Sequence, residues 1–399
     1  MAMDAWLIEL AKGIGKLFLN PLLYWSVILL LLASTRRIKQ ERSQFGLKIF
    51  DAFSEAKHSW PVSLIGGILL SIAFVGGGVV LSYPVIMLLS AMMVLLSISG
   101  RFTLLSAAYT FGFSYLILLI APPMIAEYTD FPLTTDLQSL NFPGLVLLLA
   151  AFLLMEALLL LRSTSRETYP ELVKGNRGKW VGRHRLKKLT VIPFFTLVPS
   201  GMIEPFADWW PFLHIQGESF GLVLLPLMTG FEQVVKGTNP VYAAKRIGRS
   251  VLILALFTFG LAIGSYFLPL LSLAAFGVAL VGREWISFRF REKDKQEQPF
   301  FHPSEKGLLI LGIIPGTPAD RLGMLVGERI ERVNGQQISN EQEFYSALQR
   351  NSAFCKLEVR DERGEIRFLQ RAMYQGDPHE LGILFAKEEY RLRKQEKSG

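Results

Sequence analysis

The chain has little of what builds reactive or cross-linked sites: 1 cysteine and 5 histidines in 399 residues. A lone thiol excludes an internal disulfide framework and any cysteine-based zinc site. Cys355 lies in the alternating run Phe354, Cys355, Leu357, Val359 and reads as a small core side chain. His379-Glu380 opens an H-E-x-x-H pattern, but the place of the second histidine is taken by Ile383, so no zinc pair forms there. His58, His184, His214 and His302 fall in loops or near the ends of apolar runs. The chain also lacks a G-x-S-x-G nucleophile turn and a G-x-x-x-x-G-K-[ST] phosphate loop. These absences speak against an enzyme, and neither cofactor nor metal is expected.

Charge is scarce as well, at 19% against 51% hydrophobic residues with a mean hydropathy of +0.34. Before about Arg283 the charges sit in short clusters between apolar runs; after it they fall every few residues, as a solvated surface requires. The net +8 gathers in loops beside the apolar runs, which fits a lipid bilayer and not nucleic acid. The first residues lack a basic stretch and an A-x-A-like cleavage site, so they read as a retained span. Ahead of it, Trp6, Leu7, Leu10, Ile14 and Leu17 recur at helical spacing, as in an interfacial helix.

A helix needs roughly 20 apolar residues to cross the hydrocarbon. Candidate spans are Leu17–Ser34, Pro61–Leu81, Pro84–Ser99, Phe102–Ile125, Gly144–Leu161, Leu189–Phe206 and Phe220–Val235. Ser250–Gly282 is long enough for a hairpin of two spans turning at Pro269. The expected fold is a multispanning α-helical membrane domain of about 8–9 spans.

Lys and Arg collect in loops that face the cytoplasm. One such loop holds Arg36, Arg37, Lys39, Arg42, Lys48 and Lys57; a second runs from Arg162 to Lys188; a third holds Lys236, Lys245, Arg246 and Arg249. The stretch with Glu127, Asp130 and Asp136 carries no Lys or Arg, and ADWWPFLHIQGES is acidic only, so both face outward. The parity of the spans puts the chain after Arg283 in the cytoplasm and the N-terminus outside. Glu156 is the ionisable residue well inside a span, with Glu204, Glu232 and Arg101 near ends. It reads either as part of an ion path or as a protonated or hydrogen-bonded helix contact, and no repeat between halves of the kind transporters use is visible. Gly66-Gly67 and Gly76 to Gly78 allow close helix approach.

From Lys306 the pattern becomes short and alternating. Leu308–Ile314 and Glu328–Val333 read as strands, Pro318–Gly323 as a helical turn and Asn334-Gly335 as a tight turn. Asn340 is placed to cap a helix over Glu341–Gln349, and Ala353–Arg360 with Glu365–Arg371 forms a hairpin. The run PGTPADRLGMLVGERIERVNGQQI resembles the bacterial PDZ signature, with Glu328 where that signature usually has Asp. The resemblance implies a small α+β PDZ domain that takes a peptide as an added strand, backbone amides holding its terminal carboxylate. Leu381-Gly382-Ile383 matches the carboxylate-binding loop and comes last, as in permuted PDZ domains. The groove would then lie between Ile383, Leu384, Phe385 and the helix bearing Phe344, Tyr345 and Leu348. Domain bounds follow: 1–285 polytopic transmembrane domain, 286–304 charged linker, 305–387 PDZ domain, 388–399 charged tail.

The whole layout, with its terminal ELGILF and the segment NSAFCKLEV, resembles the family of cell-division topological determinants of Gram-positive rods. That resemblance implies a septal and polar membrane adaptor. Its implied partners are the pole-binding coiled-coil protein DivIVA and the ATPase MinD, together with other divisome membrane proteins. A PDZ-bearing regulator of a membrane protease is the other reading, because PDZ domains accompany such proteases.

Overall fold

A computed structural model describes residues 2–126, 141–175, 180–207, 209–211, 219–303, 306–350, 354–372 and 381–386. The acidic stretch around Asp130, most of the Trp209–Ser219 segment, the Asn351–Ala353 segment, His379-Glu380 and the tail after Ala386 lie outside them.

The N-terminal helix α1 (Ala2–Leu19) leads through Asn20, whose side chain accepts from the Leu22 amide, into α2 (Pro21–Phe45). The short α3 (Ser54–Lys57) follows, then α4 (Trp60–Gly76), α5 (Tyr83–Ile98), α6 (Ala107–Ala126) and α7 (Phe142–Leu161). Strands β1 (Thr168–Lys174), β2 (Trp180–Ile203) and β3 (Phe220–Val235) form one antiparallel sheet in that order. Helices α8 (Pro240–Phe267) and α9 (Leu270–Gln296) make the hairpin expected at Leu268-Pro269. Among the described residues, four helices (α2, α7, α8, α9) are long and apolar enough to cross a membrane, and three shorter ones are apolar.

Two of the expected helical spans are therefore corrected. Leu189–Phe206 and Phe220–Val235 fall in a long β-hairpin, β2 with β3, packed among the helices. The first carries the β-branched Thr190, Val191, Ile192, Thr196 and Val198, and the two are interrupted by Pro193, Pro199 and Pro226, which a helix interior resists and a managed strand edge accepts. β3 is buried on both faces along most of its length, and β2, though its burial alternates, is apolar at nearly every position from Leu189 to Val198, so both look like apolar helices.

Backbone groups away from water need partners, so an open sheet edge inside an apolar bundle has to be covered. Pro193 sits opposite Pro226 in the register, and residues 193, 195 and 197 of β2 turn their backbone away from β3. On that edge the Phe195 amide donates to Ser71 Oγ at 2.8 Å, the Leu197 carbonyl accepts from the Leu81 amide at 2.9 Å, and Pro193 has no donor to satisfy. Gly67 of α4 lies against the Pro193 carbonyl so closely that any Cβ would clash with it. On the β3 edge, the Leu222 amide faces Glu9 of α1, and the Glu232 carbonyl accepts from Thr103 Oγ1 at 2.8 Å. Two hydroxyls, a carboxylate, a backbone amide and a proline without a donor thus take the place of neighbouring strands.

Glu156 in α7 is paired: its carboxylate accepts from Arg283 Nε of α9 at 3.0 Å and from Ser106 Oγ at 2.6 Å, with both charged side chains buried. An ion pair holding α7 to α9 accounts for its burial. The residues after Arg283 are not an extended spacer, since α9 continues through Gln296. The Asp294 carboxylate then caps the amides of Lys236 and Gly237, and the Phe301 carbonyl accepts from the Gly182 amide at 2.8 Å.

Candidate peptide-binding site

The C-terminal unit is built from β4 (Leu308–Ile313), α10 (Pro318–Arg321), β5 (Arg329–Val333), β6 (Gln336–Gln337), α11 (Glu341–Gln349), β7 (Phe354–Arg360), β8 (Ile366–Ala372) and β9 (Ile383–Phe385). Its sheet runs β8-β7-β5-β4-β9, with β6 paired to β5. The turn at Asn334-Gly335 has positive φ at both residues, and the Asn334 side chain ties it to β7 through the Lys356 amide. Asn340 caps α11 by accepting from the Glu343 amide at 2.9 Å, while Glu343 reaches back to the Ser339 amide.

The strand β9 ends the sheet, so among the described residues no strand pairs with its outer edge. Its inner edge is fixed to β4: Ile383 lies opposite Ile313, Leu384 opposite Gly312, and the Gly382 carbonyl accepts from the Ile314 amide at 2.9 Å. Antiparallel amides alternate in direction, so with Gly382 turned inward, the backbone of Ile383 points to the open edge. Gly382 has φ of +83°, a conformation only glycine holds without strain, and its Cα abuts the Thr317 side chain. The Leu381 carbonyl accepts from the Ala319 amide at 2.9 Å, which anchors this loop to α10.

Six of the eight anticipated groove residues come together, with Gly382 in the chain between two of them. Leu381, Ile383 and Phe385 join Phe344, Leu348 and Tyr345 in one apolar cluster, with the Phe344 and Phe385 rings edge to face at 5.3 Å. Phe344 is fully buried at the centre of this cluster. Leu384 points the other way, against Ile49, Phe50 and Tyr169 of the helical body.

That second face was not anticipated. Leu311 and Val326 pack on Leu172 and Phe301. His184 of β2 places Nε2 at 2.8 Å from the Leu311 carbonyl, and burial pushes its imidazole down to about 4. Asn239 donates to the Val326 carbonyl at 3.2 Å and also bonds Glu362, and Arg166 pairs with Asp320 at 3.0 Å. Beneath them, burial would raise the Glu171 carboxyl, but Arg185 and Arg183 outweigh it and hold it below the usual range. The available signal was the run LLILGII, Leu308 to Ile314, which is apolar at every position instead of every second one, as a strand covered on both faces must be. Among the described residues, no cluster of three or more His, Cys, Asp or Glu is placed to hold a metal. Cys355 is buried, and burial alone pushes its thiol up to about 12, which leaves it unreactive.

An edge strand beside a capped helix, preceded by a glycine loop, is the architecture of a PDZ domain, here on a body of apolar helices. A family profile described as PDZ domain matches residues 309–360, ending before β9. Over its full length the chain is similar to the cell division topological determinant MinJ of Bacillus subtilis (strain 168), at 36% identity over 393 residues covering 96% of each chain. It is also similar to the probable cell division topological determinant MinJ of Lacticaseibacillus paracasei, at 25% identity over 388 residues, covering 94% of this chain and 98% of that one. The chain belongs to the MinJ family.

Proposed function

We propose that the chain is a non-enzymatic, multi-pass membrane scaffold of the bacterial division-site selection (Min) system, enriched at septa and poles. The observation that carries this reading is the joint presence of a β9 edge with no strand paired to it among the described residues and a match along 96% of the chain to a protein named as a topological determinant of cell division. A partner peptide adds as a strand beside Ile383, with its terminal carboxylate at the Gly382 loop and its side chains toward Phe344, Tyr345 and Leu348. A DivIVA-like polar coiled-coil protein and a MinD-like ATPase are the two partners bridged, so that ring assembly is restricted near poles and recent septa. The PDZ face is cytoplasmic in this reading, supported by the basic residues Arg166, Arg183 and Arg185 beside the docked domain. Docking also supports the adaptor role, because a rigidly held groove meets membrane-bound partners at high effective concentration.

A fluorescent fusion tests it. Septal and polar enrichment that persists in the native chain and is altered by Gly382→Trp supports the reading. A uniform membrane signal rejects the division assignment. Protease cleavage of the C-terminal domain from outside intact cells rejects the orientation.

A further inference from the structure

Helices α8 and α9 line an open cleft of about 520 Å³ near the ends at which Asn239 bonds Val326 of the PDZ unit. Its rim holds three cations, Arg246, Arg289 and Lys293, and no carboxylate lines it. Arg246 and Arg289 have no ion-pair partner among the described residues, and Lys293 has only the exposed Glu297 at 3.8 Å. Three like charges around one cleft repel each other unless an anion sits between them. Trp285, Ile286 and Phe290 line the same cleft between these cations, and toward the middle of the two helices Ile253 and Val281 lie about 70% exposed. Cations meet exposed aliphatic surface here at the level where a tryptophan marks the edge of the hydrocarbon.

We infer that this cleft binds the phosphodiester headgroup of an anionic phospholipid, with an acyl chain running along Val281 and Ile253. A soluble phosphate uses only the cations, whereas the apolar side chains between them fit the chain of a lipid. Basic pockets between membrane helices take such headgroups for this reason. The inference rests on the membrane placement proposed above, and alkaline carbonate extraction tests that placement separately: release of the chain refutes the placement itself.

The test is native mass spectrometry of the full chain in detergent with phosphatidylglycerol or phosphatidylcholine of the same acyl chains. The native chain retains phosphatidylglycerol selectively. Arg246→Gln with Arg289→Gln lowers that retention on the order of 30-fold, for two cations near a headgroup. Arg246→Lys with Arg289→Lys keeps most of it, since lysine still supplies a point charge. Retention of phosphatidylcholine stays the same in all three. Equal phosphatidylglycerol retention in the native and glutamine chains overturns the inference. So does displacement of the lipid by inorganic phosphate, which assigns the cleft to a free anion, or by an acidic peptide, which assigns it to a protein. If the glutamine chain loses both lipids through misfolding, the lysine chain decides: selectivity kept supports the site, selectivity lost refutes it.

Discussion

His184 Nε2 lies 2.8 Å from the carbonyl oxygen of Leu311, so a single buried hydrogen bond joins strand β2 of the helical body to strand β4 of the PDZ sheet. A ring nitrogen facing a carbonyl must carry the hydrogen, and Nδ1 stands 3.1 Å from Thr168 Oγ1. With its pKa held at about 4 by burial, the ring is neutral at physiological pH. The docked arrangement therefore has a titratable seam.

Its folded pKa lies below its ordinary value of 6.5, so the unfolded chain binds the proton first as pH falls. The contribution to stability is fully present above pH about 6.5, declines between about 6.5 and about 4, and its complete loss amounts to about 3 kcal/mol. Thermal unfolding of the detergent-solubilised chain across this window should show that decline, and His184→Gln should flatten it. An equal slope in both chains would refute this role for the ring.

Removing one member of the buried Glu156–Arg283 pair leaves the other charge uncompensated in an apolar bundle. Glu156→Ala should cost about 3–5 kcal/mol of stability. Replacing both, as Glu156→Leu with Arg283→Met, should be near neutral, because Arg283 already leaves its Nη2 without a partner among the described residues. A double-mutant cycle on thermal stability measures this, and additive losses would contradict it.

At Gly382, substitution by alanine adds left-handed strain of about 1–2 kcal/mol and brings a methyl group onto Thr317. Gly382→Ala should lower stability by at least that much and distort the amides at the open edge. Pairing it with Thr317→Gly should relieve the collision but not the strain. Amide hydrogen exchange over β9 and β4 distinguishes the two contributions.

Much of the PDZ unit is legible in the sequence because its signals are local. The Asn334-Gly335 turn, the Asn340 cap and the β7–β8 hairpin each need only a few adjacent residues to be specified. The membrane half is harder to read. A strand buried on both sides and a buried helix are both continuous apolar runs, so the hairpin of β2 and β3 was indistinguishable by periodicity from two spans. Pro193, Thr196 and Pro199 carried the distinction through chemistry, by favouring strand and disfavouring helix. The partner of Glu156 was illegible for a different reason: Arg283 lies 127 residues away, and only packing brings them together. Docking of the PDZ unit was hinted at by uninterrupted apolar character in Leu308–Ile314, but its counterpart surface on β1 and the α2–α3 loop has no such mark.

The covered edges of β2 and β3 also dictate an order of events during synthesis. The segments that supply Ser71, Gly67, Thr103 and Glu9 are all translated before either strand, whereas α8 and α9 emerge only after both. The ribbon thus enters a slot whose walls already exist, and the closing helix pair arrives last with Arg283 to latch onto Glu156. A chain cut short before residue 240 would lack both closing helices and would leave the buried Glu156 without Arg283.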